Sequence, residues 1–214
     1  MSGLIVKALL AYLLGSVVGG LLVGRLCGGV DIRRLGSGNA GGTNALRTQG
    51  KAFALWVLLI DIGKGWLATG WLAAARLPGA AGGALEWSLT ACGIAVMLGH
   101  VYPVWYGLRG GKGVATLIGA VLGASPALLL PMLAIWLLTV VLSGYVSLGS
   151  MLGAVTLAAA VAARRSPDGP MLLFALLAGA LIVFTHRRNI ARMRAGTEPR
   201  ARRLWLLGAR ARSS

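Results

Sequence analysis

Acidic side chains are scarce in this 214-residue sequence: 5 Asp+Glu stand against 21 Lys+Arg, a formal net charge of +16. Hard divalent cations need several oxygen ligands, so this shortage of carboxylates speaks against a magnesium cage. Histidine and cysteine are as rare, with 2 of each, and no CxxC pair or Cys/His ligand spacing occurs. A zinc site and a disulfide framework are therefore not indicated, and metal independence is expected. Cys27 and Cys92 sit in unrelated apolar contexts and read as buried bystander thiols. Charge of either sign reaches only 12% of residues, against about 25% in an ordinary soluble domain. With 57% hydrophobic residues and a mean hydropathy of +0.79, that shortage excludes a normal soluble globule. The composition is that of an integral membrane protein, and 7 Trp and 33 Gly suit helices packed in lipid.

A helix needs about 20 apolar residues to cross about 30 Å of hydrocarbon. Runs of this kind cover Leu4 to Val23, Phe53 to Ala75 and Trp87 to Tyr106. The stretch from Val114 to Leu142 is too long for one crossing, and Ser125-Pro126 divides it into Val114 to Ala124 and Ala127 to Leu142. Val146 to Ala163 and Met171 to Thr185 complete seven spans, an all-α fold. The first run is too long for a signal-peptide core and lacks a small-residue cleavage site after it, so it is retained. With the C-terminus inside, sixteen Lys and Arg fall in inner loops and tail, and only Lys7, Arg76, Arg164 and Arg165 fall outside. Six spans would separate the Arg25 to Lys51 loop from the arginine tail, so the positive-inside rule favours seven. The N-terminus is then outside. Residues 1–199 form the membrane domain and 200–214 a basic cytoplasmic tail, whose Leu204 to Leu207 core suits an interface with anionic lipid rather than nucleic acid.

The polar motifs lie between these runs. Residues 36 to 44 read GSGNAGGTN, with Arg47 and Lys51 close behind. Glycines let backbone N–H groups converge on one point, so Gly38 and Gly41 can form a nest. Ser37, Asn39, Thr43 and Asn44 add polar side chains, and Arg47 adds a planar fork. The set describes a phosphate cradle, although composition alone also permits a solvated glycine connector. Residues 110 to 116, GGKGVAT, place Gly110, Gly111 and Gly113 around Lys112 where a helix N-terminus offers free N–H groups, a second anion site or a charged inner-face anchor. Tyr106 stands where a Walker A loop would have its first glycine, which argues against nucleotide hydrolysis. Past the last span, His186 and Asn189 share one side of any continuing helix, and Ser147 and Ser150 open the sixth span. All four clusters fall on the inner face. Asp61 and Lys64 are charges deep in the second span, either functional or an ion pair that orders helices. Gly15, Gly19, Gly20 and Gly24 are assigned to close helix packing.

Taken together, GSGNAGGTN-x-LR-x-x-GK, DIGKG, GH-x-YP, GGKGVAT, SLGS and H-x-x-N-I-x-R-x-x-x-G-x-E resemble the bacterial acyl-phosphate-dependent glycerol-3-phosphate acyltransferase (PlsY) family. The motifs recur in order over residues 8 to 198. The resemblance implies a seven-span inner-membrane enzyme with a cytoplasmic active site built on Gly-rich loops. It implies transfer of a fatty acyl group from acyl phosphate to the 1-position of glycerol 3-phosphate, giving lysophosphatidic acid. No cofactor is implied. Carried over by motif, the functional positions are Ser37, Asn39, Thr43 and Arg47, then Lys112 with its glycines, then His186 and Asn189, with Ser147 and Ser150 following. Ser37, Lys112 and His186 are the expected catalytic residues.

Acyltransferases that use thioesters carry a His-x-x-x-x-Asp dyad, but Trp105 and Ala191 stand five residues after the two histidines. The rival reading is a transporter for a phosphorylated anion, for which polar groups lining a path across the bilayer would be expected. Only Asp61 and Lys64 lie near mid-membrane, and no internal repeat is present.

Overall fold

The computed structural model describes residues 2–76, 85–164, 168–201 and 204–206, which contain helices and turns but no strand. Arg165, Arg202, Arg203, Leu207, Arg210 and Arg212, used above for sidedness or for the tail, lie outside the described residues. The helices are α1 (Ser2–Gly15), α2 (Gly19–Leu26), α3 (Gly42–Thr48), α4 (Lys51–Trp66), α5 (Leu85–Val101), α6 (Val114–Ala124), α7 (Leu129–Ser143), α8 (Val146–Ala162), α9 (Gly169–Thr185) and α10 (Arg187–Arg194). They fall into two compact units, residues 1–126 and 127–214.

Among the described residues, three helical stretches are long and apolar enough to cross a membrane: Lys51–Leu72, Leu85–Tyr106 and Pro126–Ser143. Two bent pairs, α1 with α2 and α9 with α10, raise the number to five if each counts as one span. Val114–Ala124 and Val146–Ala162 are apolar but shorter; at 1.5 Å per residue α6 rises about 16 Å, half of the hydrocarbon thickness. Its shortness has a local cause. Gly113 enters at φ 88, and Ser125 leaves the helical conformation at φ -160 and ψ 82 before a 3-10 turn at Pro126–Leu128, the break that Ser125-Pro126 announces.

The first run is not one straight helix. It breaks between Gly15 and Gly19 and turns by 46°. Within residues 1–126, α1 lies along α5 and α4 along α6. A Cβ on Gly15 would meet the Val96 carbonyl and one on Gly19 the Val57 carbonyl, so these glycines do let helices touch. Gly20 and Gly24 instead face the carbonyls of Ala40 and Val30, so they admit loop backbone rather than another helix. One core gathers Val18, Leu21, Ile32, Ala40, Phe53 and Val57 beneath the first glycine loop, and another Ala11, Leu72, Cys92 and Val96. Cys92 is buried as expected, but Cys27 is exposed, because α2 ends at Leu26 and the chain turns away from the core there.

Within residues 127–214, α8 packs between α7 and α9. Asp168 caps α9 by accepting from the Met171 N–H at 3.2 Å. The basic tail begins docked: the Ala201 N–H donates to the Gly144 carbonyl at 2.7 Å, and Arg200 stacks between Tyr145 and Trp205. Leu130, Trp71 and Leu137 lie on exposed helix faces, which suits a lipid surround.

The α1–α5 contact makes a sharp prediction. A Cβ on Gly99 would strike the Tyr12 carbonyl, whereas one on Gly63 meets nothing within 4 Å. Gly99→Ala is expected to cost about 1–3 kcal/mol and lower the detergent melting temperature by several degrees, with Gly63→Ala neutral; equal melting temperatures would refute the close approach.

Candidate active site

The first loop is organised by Asn44. Its amide donates to the carbonyls of Ile32, Leu35 and Asn39 at 2.9–3.0 Å, and its Oδ1 accepts from the Ser37 N–H at 2.9 Å and the Ser37 hydroxyl at 3.2 Å. Asn44 is buried, so this residue, expected among the anion ligands, is spent on holding the loop's shape. Gly36 and Gly38 turn at φ 56 and 73, and a Cβ on Gly36 would strike the Asn44 oxygen. Ser37 and Gly38 are exposed on the resulting loop and Thr43 and Arg47 on α3 just after it, while Asn39 and Gly41 are half-buried. These are the positions from which a loop can meet a soluble phosphate.

The second loop leaves α5 and returns into α6. The N–H groups of Gly110 and Gly111 donate to the carbonyls of Val101 and His100, and Gly113 takes the left-handed conformation that starts α6. Gly111 and Gly113 are buried and Lys112 is half-buried between them. The two loops are tied together by a residue that sequence reasoning left out. Arg33 Nη1 donates to the carbonyls of Tyr106 and Arg109 at 3.0 and 2.7 Å, while Asp31 holds its other nitrogens. The hydrogen bond from Arg33 keeps the Asp31 carboxyl below its ordinary range, so the pin stays charged on both sides. In sequence the only signal was an acid two residues before an arginine.

In the other unit, Ser147, Asn189 and Arg192 converge on Glu198. Its Oε1 accepts from the Ser147 hydroxyl at 2.8 Å and the Asn189 amide at 2.6 Å, and its Oε2 from Arg192 Nε at 2.7 Å. Burial pushes this carboxyl up, but the hydrogen bonds from Asn189, Ser147 and Arg192 outweigh it and hold the group below its ordinary value. Ser150 donates to the Val146 carbonyl of its own helix. The last span does not continue straight into its basic end: α9 stops at Thr185 and α10 departs at 52°, with His186 at the bend. His186 Nδ1 lies 2.8 Å from the Ile182 carbonyl. A carbonyl can only accept, so the ring proton of neutral His186 sits on Nδ1 and Nε2 is the basic nitrogen. Glu198 closes the motif H-x-x-N-I-x-R-x-x-x-G-x-E, and its signal in the sequence is a single carboxylate in an otherwise basic segment.

Among the described residues, no group of three His, Cys, Asp or Glu side chains is arranged to hold a metal ion. What the two loops offer is backbone N–H groups, hydroxyls and cations, which is chemistry for oxyanions.

A family model described as glycerol-3-phosphate acyltransferase matches residues 5–196. The chain belongs to the glycerol-3-phosphate acyltransferase family. It is 45% identical over 194 residues to a glycerol-3-phosphate acyltransferase of Synechococcus sp. strain JA-2-3B'a(2-13), covering 91% of this chain and 92% of that one. It is 43% identical over 197 residues to the protein of that name from Agrobacterium fabrum, covering 92% and 91%. Among solved structures, it is similar to PlsY, an integral membrane glycerol 3-phosphate acyltransferase, in its glycerol 3-phosphate form: TM-score 0.81, 35% identity, 94% of this chain and 96% of that one. The lysophosphatidic acid form matches with TM-score 0.79 at the same identity, over 94% of this chain and 95% of that one. The glycerol-3-phosphate acyltransferase family therefore accounts for an enzyme embedded in a membrane, as the apolar helices independently require.

The Glu198 geometry of this family member carries a pH prediction. Its folded carboxyl titrates below the unfolded one, so its stabilisation is full above the unfolded value and is lost as pH falls through the folded value. Melting in detergent is expected to weaken with acid in this window, and Glu198→Gln to flatten that dependence; parallel curves would contradict it.

Proposed function

We propose that this chain transfers a fatty acyl group from acyl phosphate to the 1-hydroxyl of glycerol 3-phosphate, releasing lysophosphatidic acid and phosphate. The observation that carries the reading is the match over 94% of the chain to an acyltransferase solved in its glycerol 3-phosphate form. The Gly-rich loops add a physical reason, because both substrates carry phosphate and the loops present donors and cations. Arg47 and Lys112 hold phosphate, and Ser37 with the Gly41 N–H stabilises charge that develops on the acyl oxygen. The N–H groups of Gly38, Gly110 and Gly111, expected among the anion donors, are given to the carbonyls of Leu35, Val101 and His100 and shape the loops instead. Asn39, Thr43 and Gly113 complete the phosphate contacts.

The glycerol oxygen attacks the acyl carbon, the carbon–oxygen bond to phosphate breaks, and phosphate departs with the electron pair. Phosphate is a good leaving group, so alignment carries much of the rate, up to about 7–11 kcal/mol. His186 Nε2 takes the hydroxyl proton, and Asn189 with Ser147 and Ser150 supports substrate binding from their own unit. No metal or cofactor takes part. Seven crossings, with the C-terminus and both loops on the cytoplasmic side of a bacterial inner membrane, satisfy the positive-inside rule. A transporter reading loses its mid-membrane charges, because Asp61 and Lys64 are bound to each other at 3.0 Å.

Purified protein in detergent with chelator is expected to form lysophosphatidic acid from palmitoyl phosphate and glycerol 3-phosphate, and not from palmitoyl-CoA. Lys112→Ala should lower kcat/KM roughly 10- to 100-fold, the scale of a lost charged hydrogen bond. Turnover with the thioester, or chelator sensitivity, would overturn the donor or the metal-free chemistry. His186→Ala should lower kcat about 100-fold or more if its nitrogen takes the proton. A rise in KM alone would assign that proton to a substrate phosphate oxygen.

A further inference from the structure

Three ionisable groups are sealed inside residues 1–126, apart from the loop residues assigned to substrate. The side chains of Asp61, Lys64 and His100 are 1%, 3% and 3% exposed. Lys64 Nζ lies 2.8 Å from the carbonyls of Gly15 and Val17, 2.8 Å from His100 Nδ1 and 3.0 Å from Asp61 Oδ1. Asp61 Oδ1 also accepts the Gly19 N–H at 3.0 Å. Together they satisfy the backbone groups released where α1 breaks into α2. His100 Nδ1 faces both partners of the pair, 2.8 Å from Lys64 Nζ and 3.3 Å from Asp61 Oδ1.

The cluster reaches both glycine loops. A Cβ on Gly111 would strike His100 Nε2, so the ring rests directly on the second loop, and the His100 carbonyl accepts the Gly111 N–H. On the other side, Gly20, next to the Gly19 that Asp61 holds, sits against the Ala40 carbonyl and Ile32. The Ile32 carbonyl in turn receives Asn44, the residue that shapes the first loop. A buried ion pair is commonly matched or bettered in stability by apolar residues of equal volume, and here Asp61 Oδ2 has no hydrogen-bond partner. Stability alone is a poor reason for the arrangement; its reach into both loops is a better one.

We propose that Asp61, Lys64 and His100 are positioning residues that set the first and second glycine loops at the separation phosphate binding requires. This rests on the acyltransferase reading for the identity of the ligand, glycerol 3-phosphate. The test compares the full-length wild type in detergent with Asp61→Asn/Lys64→Met, which removes both charges together, and with His100→Ala, which removes only the ring against Gly111. Calorimetry reads the Kd for glycerol 3-phosphate, turnover reads KM and kcat, and a melt reads folding. At least a tenfold rise in Kd and KM is expected in both variants, with kcat at saturation within threefold and the melting temperature within a few degrees of wild type. Should the double variant not fold, His100→Ala decides by the same numbers. Unchanged Kd and KM in a folded variant overturn the proposal, as does a wild type that does not bind glycerol 3-phosphate. Binding by the wild type without lysophosphatidic acid formation sinks the acyltransferase reading while leaving the positioning role standing on Kd.

Discussion

A helix in hydrocarbon cannot leave backbone polar groups without partners, and this constraint governs the region where α1 gives way to α2. Between Gly15 and Gly19 the chain abandons its helical ladder and bends by 46°. Lys64 supplies donors to the carbonyls of Gly15 and Val17, Asp61 accepts the N–H of Gly19, and the Ser16 hydroxyl accepts the Val104 N–H at 3.3 Å. With the break satisfied, α2 can run beneath the first loop, and Gly20 can admit Ala40 and Ile32 to its surface. Straightening α1 into α2 would remove the support on which the Asn44-organised loop is built.

The loops themselves divide labour between residues that shape and residues that meet a ligand. Asn44, Asp31 and Arg33 spend their hydrogen bonds inside the protein, which leaves Ser37, Thr43 and Arg47 exposed on a fixed backbone. Under the proposed function, that separation suits catalysis by placement, where most of the rate comes from holding the substrates in line rather than from strong acids or bases. Glu198 plays the equivalent part in residues 127–214, gathering Ser147, Asn189 and Arg192 beside the bend at His186. Placing a carboxylate among cations and amides fixes their orientation at little electrostatic cost, since each partner donates to it.

Much of this was legible in the sequence. Apolar runs located the helices, Ser125-Pro126 marked the division before α7, and glycine with hydroxyl and basic residues marked both loops. Other features were not legible because they depend on long-range contacts. The 46° break follows from groups at Lys64 and Asp61, dozens of residues away, so Leu4 to Val23 looked continuous. Asn44 looked like a ligand because its type suits one, while three backbone carbonyls in space decide otherwise. Arg33 carried no periodic or motif signal, since its partners at Tyr106 and Arg109 lie on the other loop. Cys27 looked buried among apolar neighbours, but a helix end beside it turned it outward.

If the glycine loops hold the phosphate of glycerol 3-phosphate as proposed, locating that phosphate is the most direct test. A crystal structure of the protein with glycerol 3-phosphate should show phosphate oxygens within hydrogen-bonding distance, about 2.7–3.2 Å, of Ser37, Arg47 or Lys112. Phosphate found instead beside Lys64 in the middle of the helices would contradict the account and return a transport path to consideration.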